Sequence, residues 1–188
     1  MFIVFDGLDG SGKSTQALML CRHLEELGKS YILRTHPSTD NPFGRRSRVY
    51  LQKDGKQAQI SASLFYLLDV ARSILLYYWS SVDYIVFVRY LMGTAYLPEA
   101  IYNLGYLFFL MLVPHSQYMF FINTTPAEAH RRIERNRKQK EMFETPQKLQ
   151  EVYRKITTLA SRPEWIVLDG NRPSHEIQRE VRSILDLT

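Results

Sequence analysis

The stretch Gly7-Leu8-Asp9-Gly10-Ser11-Gly12-Lys13-Ser14 constrains what this chain can fold into more than any other. A glycine, four residues and then Gly-Lys-Ser is the spacing of a phosphate-binding loop, or P-loop. The glycines let the backbone take conformations closed to other residues and approach a phosphate closely. Loop amides and the N-terminus of a following helix together make an anion nest. Lys13 is placed to reach the β- and γ-phosphates as a point charge, and the Ser14 hydroxyl to ligate Mg²⁺. Gly7, Asp9, Gly10, Ser11, Gly12, Lys13, Ser14 and Thr15 form the expected nucleotide-binding set, with ATP and Mg²⁺ as cofactors. The alternative is a chance glycine-rich turn. Against it, the apolar run Phe2–Phe5 precedes the motif and a helical pattern, Ser14–Leu27, follows it.

That strand–loop–helix start repeats in kind along the chain. Tyr31–Leu33, Tyr84–Val88, Tyr118–Ile122 and Trp165–Leu168 read as further strands. Between them, Ser61–Trp79, Leu97–Val113, a helix opening at Pro126 and Gln147–Ala160 read as helices, and His175–Leu185 as a last one. Alternation of this kind predicts an α/β three-layer sandwich with a five-stranded parallel sheet, the P-loop NTPase fold. The 188 residues, without repeat or long linker, fit one domain over 1–188. Met1 runs straight into the first strand, so no leader is expected. The most apolar stretch, Leu104–Val113, has about half the length a membrane-spanning helix needs, so no membrane partner is expected. The single cysteine, Cys21, reads as a small buried apolar side chain and suits a reducing, cytoplasmic setting. The net charge of +5 suits an anionic ligand, whether nucleotide or nucleic acid. It gathers at Arg45, Arg46 and Arg48 and between Arg131 and Lys140, runs whose plain reading is a solvated face.

The segment Phe5-Asp6-Gly7 through Ser14-Thr15-Gln16 resembles the P-loop of the thymidylate kinase family, and the likeness extends over nearly the whole chain. The resemblance implies transfer of the ATP γ-phosphate to a nucleoside monophosphate, dTMP above others, by a cytoplasmic homodimer that binds no nucleic acid. It assigns Asp9 to the acceptor sugar, for which the alternative is a local turn-former. Pro37, Gly44 and Arg48 match the family's Arg-Glu-Pro segment and the residues after it, whereas Thr35 and His36 replace the arginine and the glutamate. Arg89 and Tyr90 match Asp-Arg-Tyr, which gives Arg89 the acceptor phosphate; a salt bridge to a protein carboxylate is the alternative. Val88 replaces the aspartate that helps hold the Mg²⁺ shell, a role that would then fall to Asp6 or Asp9 if the protein is not simply a weakened kinase.

Downstream, Gly93-Thr94-Ala95-Tyr96 resembles the family's segment beside the base. Asn123-Thr124-Thr125-Pro126 leads into an expected lid at about 131–145. With no arginine in the P-loop, the resemblance looks for the catalytic one among Arg132, Arg135 and Arg137, beside Lys13 and Arg89; Glu134 offers Arg137 a plain helix pairing instead. Base contacts are expected from Phe65, Asp69 and Arg72, which with Tyr66 sit within two helical turns and could line one pocket, although a Phe-Tyr pair on a helix is commonly core. A kinase acting on a different monophosphate remains a variant of the same reading. The apolar Leu97–Val113, with Tyr102, Tyr106, Phe108 and Phe109, points to the homodimer interface.

Overall fold

The computed structural model describes residues 1–53, 55–136 and 145–187. Five parallel strands form one sheet in the order β2-β3-β1-β4-β5. They are β1 (Phe2–Gly7), β2 (Tyr31–Thr35), β3 (Tyr84–Val88), β4 (Tyr118–Asn123) and β5 (Ile166–Asp169). Because β1 lies between β3 and β4, chain direction across the sheet reverses at its carboxyl end, where open α/β sheets bind ligands. The P-loop leaves β1 at that point.

Alternation along the strands divides the core in two. Ile3, Phe5, Val86, Val88, Phe120 and Ile122 pack against α1 (Lys13–Glu26) and α7 (Ser174–Ile184). Val4, Ile85, Phe87, Met119 and Phe121 face α3 (Lys56–Tyr77), α4 (Tyr102–Leu112) and α6 (Pro146–Ala160). Strands buried on both faces are apolar throughout for this reason. Gly28, at φ 67°, ends α1 in the left-handed conformation that glycine favours at a helix stop, while Lys29 N donates to Leu24 O at 2.9 Å.

Two expectations need amending. A helix absent from the sequence reading, α2 (Pro42–Leu51), carries Arg45, Arg46 and Arg48. Its start is well specified: the Asn41 side chain accepts from Phe43 N and Gly44 N, and Pro42 occupies the first turn. The stretch read as one helix over Leu97–Val113 is helical only from Tyr102 to Leu112, as α4; a 3-10 turn (Met92–Tyr96) precedes the stretch, and residues 97–101 form the turn between the two, with Ile101 N donating to Pro98 O at 3.0 Å. The helix expected to open at Pro126 is present as α5 (Pro126–Asn136); of the expected lid, residues 137–144, including Arg137, lie outside the described residues. Among the described residues, α3 is long and apolar enough to cross a membrane. Its inward face, however, carries Ser63, Asp69 and Ser73 buried in the core, as suits a helix packed on a sheet.

Candidate active site

Gly10 (φ 79°) and Gly12 (φ 97°) hold the P-loop in left-handed conformations. A Cβ on Gly10 would strike the carbonyl of Ala129, so α5 closes directly on the loop. The amides of Lys13, Ser14 and Thr15 open α1 with no preceding helical carbonyl to bind, which leaves them for an anion. The buried Ser11 hydroxyl has no partner among the described residues. These groups line a cleft of about 680 Å³ that runs from Gly10–Gln16 past Arg132 to Asn171 and Arg172. An orphaned hydroxyl, unpaired amides and a close-approach glycine fit a triphosphate.

Lys13 Nζ donates to Leu8 O at 2.9 Å and lies 3.5 Å from Asp9 Oδ1. Burial, reinforced by the neighbouring Arg89 charge, lowers its pKa to about 8 against the pull of Asp9. Asp9 is the meeting point of the site: the Arg89 guanidinium pairs with its Oδ1, and Tyr96 Oη donates to its Oδ2 at 2.9 Å. Arg89 itself adopts φ 65°, an uncommon conformation for a residue with a side chain and a local strain that tends to gather at functional sites.

Asp6 organises the ground between these groups. It is buried, and it accepts from Gly7 N at 2.9 Å, Tyr90 N at 2.7 Å and Met92 N at 3.0 Å. Burial raises its pKa although those amides oppose the shift. Its oxygens tie the P-loop to the β3 exit. Val88, in register with Phe5, points into the apolar cluster under α1. For Mg²⁺ the fit is partial. Ser14 faces the nucleotide cleft and can supply one oxygen, ATP phosphates and water supply others, and position 88 offers none.

A second cavity, of about 40 Å³, opens beyond Asp9 and Arg89. Of the expected acceptor residues, Asp9, Pro37, Arg89 and Tyr96 line it. The others are placed differently. Arg48 holds the Pro37 carbonyl with Nε at 2.9 Å and Nη2 at 2.7 Å, a brace behind the wall. Tyr90 contributes its backbone, while its ring packs in the core against Phe2 and Phe87. Phe65 stacks on Tyr50, with Arg46 over its face. Asp69 is fully buried and accepts from Ser38 N, Ser38 Oγ and Asn41 Nδ2, fixing the loop ahead of α2. Arg72 is half-buried outside the cavity wall. Beside Tyr96, the aromatic at the wall is Tyr66 of α3 rather than Phe65, flanked by Ala62 and Ser63. It is one residue along from Phe65, and a one-residue step turns a helical side chain by about 100°.

The arginines of α5 also separate. Arg132 donates to Glu128 at 2.7 Å, to Ser11 O at 3.2 Å and to Gly170 O at 3.0 Å, bracing the P-loop against the β5–α7 loop. Arg135 is exposed in the last turn of α5.

A family model described as Thymidylate kinase matches residues 5–181. A thymidylate kinase of Leptospira interrogans is 31% identical over 98% of this chain and 93% of its own length. A probable thymidylate kinase of Thermococcus kodakarensis is 43% identical over 63 residues, 34% of this chain and 30% of that protein. The solved structure of thymidylate kinase from Candida albicans superposes with a TM-score of 0.76 at 19% identity, covering 98% of this chain and 90% of that one. The fold is therefore shared. With the model and the Leptospira relative both spanning nearly its full length, the chain is a kinase that belongs to the thymidylate kinase family.

Proposed function

We propose that the protein transfers the γ-phosphate of ATP to dTMP, giving dTDP and ADP. The observation that carries this is the juxtaposition at Asp9: on one side a P-loop with Lys13, on the other Arg89 at the mouth of a small pocket. Two anion sites share one wall, as in-line transfer between two phosphates requires. An oxygen of the dTMP phosphate attacks the γ-phosphorus, the bond to the β–γ bridging oxygen breaks, and ADP leaves. No strong base is needed, because the attacking phosphate is already ionised. Lys13 and the loop amides hold the triphosphate, and Arg89 aims the acceptor phosphate. Arg132, which lines the nucleotide cleft, and Arg135 and Arg137 remain the candidates for the arginine at the transferring group, Arg137 lying outside the described residues. Bound Mg²⁺, ligated by Ser14, would neutralise charge on the β- and γ-phosphates.

The cavity, of about 40 Å³, is smaller than a nucleotide, so in this reading the acceptor widens it, with Arg89 exchanging Asp9 for the acceptor phosphate. A coupled assay across dTMP, dUMP, CMP, UMP, AMP and GMP tests the reading. Preference for dTMP supports it, and preference for another monophosphate reassigns the acceptor. Val88 supports a second reading, a nucleotide-binding protein with weakened catalysis, because its buried methyls occupy the place where the resemblance puts a carboxylate.

We further infer a homodimer. Ile60, Leu64, Leu68, Leu75 and Trp79 form an exposed stripe along α3 and its end, and Leu104, Phe108 and Met111 form another on α4. Spacings of three, four and seven residues put each set on one helix face, and apolar faces of this extent are normally covered. The buried Cys21, whose thiol pKa is raised to about 11 by burial, suits a cytoplasmic protein with no disulfide. Neither nucleic acid nor a membrane has a part in this reading.

A further inference from the structure

His36 lies at the exit of β2, where the resemblance puts a glutamate, and is fully buried. Its Nδ1 is 3.0 Å from Arg89 O and its Nε2 is 2.9 Å from Ser73 Oγ. A carbonyl can only accept, so Nδ1 carries the proton and donates to it; Nε2 then accepts from the Ser73 hydroxyl. The ring is wedged edge-on between Phe87 and Tyr66. The backbone of His36 engages the same strand end: its N donates to Val88 O at 3.0 Å, and its carbonyl accepts from Arg89 Nη1 at 3.4 Å.

The peptide that receives this bond is the uncommon one. Arg89, at φ 65°, is held by Arg89 N donating to Phe5 O at 2.9 Å, by Tyr90 N donating to Asp6 and by the His36 ring on its carbonyl. A left-handed residue with a long side chain persists only where its surroundings over-determine it. Of these restraints, the imidazole is the one supplied by a side chain that departs from the resemblance at that position. A glutamate there, as an acceptor when ionised, would oppose the Arg89 carbonyl rather than bind it.

We propose that His36 is a positioning residue that sets the Arg89 guanidinium for the acceptor phosphate, with Ser73 fixing the imidazole. The proposal rests on the kinase reading above. Its effect runs through Arg89, and since no contact joins His36 to the P-loop itself among the described residues, the acceptor side should bear the larger loss.

Two substitutions separate this role from simple packing. In His36→Asn the carboxamide nitrogen stands where Nδ1 stands and can still donate to Arg89 O. In His36→Gln the nitrogen reaches the Nε2 position, toward Ser73. Both lose ring volume, so a packing role predicts similar damage from each. Thermal unfolding shows whether each variant folds, and calorimetric titration with dTMP and with Mg·ATP gives the two affinities alongside steady-state kinetics. The expected result is an acceptor KM and Kd raised about tenfold or more in His36→Gln, with ATP affinity within about twofold of the parent. His36→Asn should recover the acceptor affinity to within about threefold. Equal losses in the two variants, unchanged acceptor affinity in both, or a parallel loss of ATP affinity would overturn the assignment. Parent protein that binds ATP but no nucleoside monophosphate would instead overturn the kinase reading, and this inference with it.

Discussion

The Arg89 guanidinium and the Asp9 carboxylate are ion-paired where the P-loop faces the end of β3, and both residues line the small cavity beyond. On the proposed function, the arginine would reach the acceptor phosphate by exchanging one anion for another, which avoids a buried unpaired charge in the ligand-free state. Arg89→Lys keeps a positive charge but loses the planar fork that can grip Asp9 or a phosphate with two parallel bonds. It should lower kcat/KM for the acceptor by about 100-fold while leaving the KM for ATP within about threefold. Steady-state kinetics with each substrate varied in turn checks this, and a matching loss for ATP would place Arg89 on the wrong substrate.

Lys13 gives the nucleotide site a pH signature. Free protein holds its ammonium at a pKa of about 8, well below the ordinary 10.5. A triphosphate binds the protonated form, so Mg·ATP affinity should be level below pH 8 and fall about tenfold per pH unit above it. Lys13→Arg, with a side chain that stays charged, should bind more weakly but lose this slope. Calorimetry from pH 6.5 to 9.5 measures both, and a level profile for the parent would remove Lys13 from the triphosphate.

His36 links pH to stability rather than to nucleotide affinity. Burial lowers its pKa to about 4 in the folded protein, from 6.5. As pH falls below 6.5 the unfolded chain takes the proton first, so this group's contribution is complete above that value. It is lost progressively down to about 4, and the full span is worth about 3 kcal/mol. Urea unfolding of the parent should thus lose more stability than His36→Asn between pH 7 and 4. Parallel profiles would mean that His36 protonates freely in the fold.

Much of this arrangement is legible in the chain because it is local. The P-loop motif, its flanking strand and helix and the apolar strands depend on neighbouring residues, and they fall where periodicity puts them. The acceptor side is less legible because it depends on helix phase and on contacts between distant segments. Phe65 and Tyr66 differ by one position, and only packing of α3 on the sheet decides which ring meets the cavity. Asp69 looks like a base contact by spacing, yet its partners are Ser38 and Asn41, about thirty residues away. Helix α2 has no apolar periodicity to announce it, although Asn41-Pro42, a capping residue followed by a first-turn proline, was a readable start signal. The His36–Arg89 contact joins two strand ends and has no sequence signature at all.

The exposed stripes on α3 and α4 predict an assembly that charge can break. Leu75 and Met111 are 77% and 85% exposed, so replacing them should not disturb the core. The double substitution Leu75→Glu and Met111→Glu should convert a dimer to a 22.1 kDa monomer in light scattering, with the unfolding transition of each folded protomer retained. A parent protein already monomeric at micromolar concentration would exclude the dimer.

Val88→Asp is the sharpest test of how transfer is organised here. Position 88 pairs with Phe5 on β1 and faces the cluster under α1, one residue before Arg89. A carboxylate introduced there without a cation is buried among methyl groups, which should cost about 2 kcal/mol or more of stability in the free protein. Mg·ATP should recover part of that loss, because the charge then has the metal's water shell to face. If the valine limits catalysis, kcat should rise about tenfold or more, since positioning and electrostatics carry most of phosphoryl transfer. Unfolding followed with and without Mg·ATP, beside single-turnover rates, separates the two effects. A destabilised variant with the parent's rate, and no extra stabilisation by Mg·ATP, would show that Ser14, Lys13 and the substrate phosphates organise the metal without help from β3.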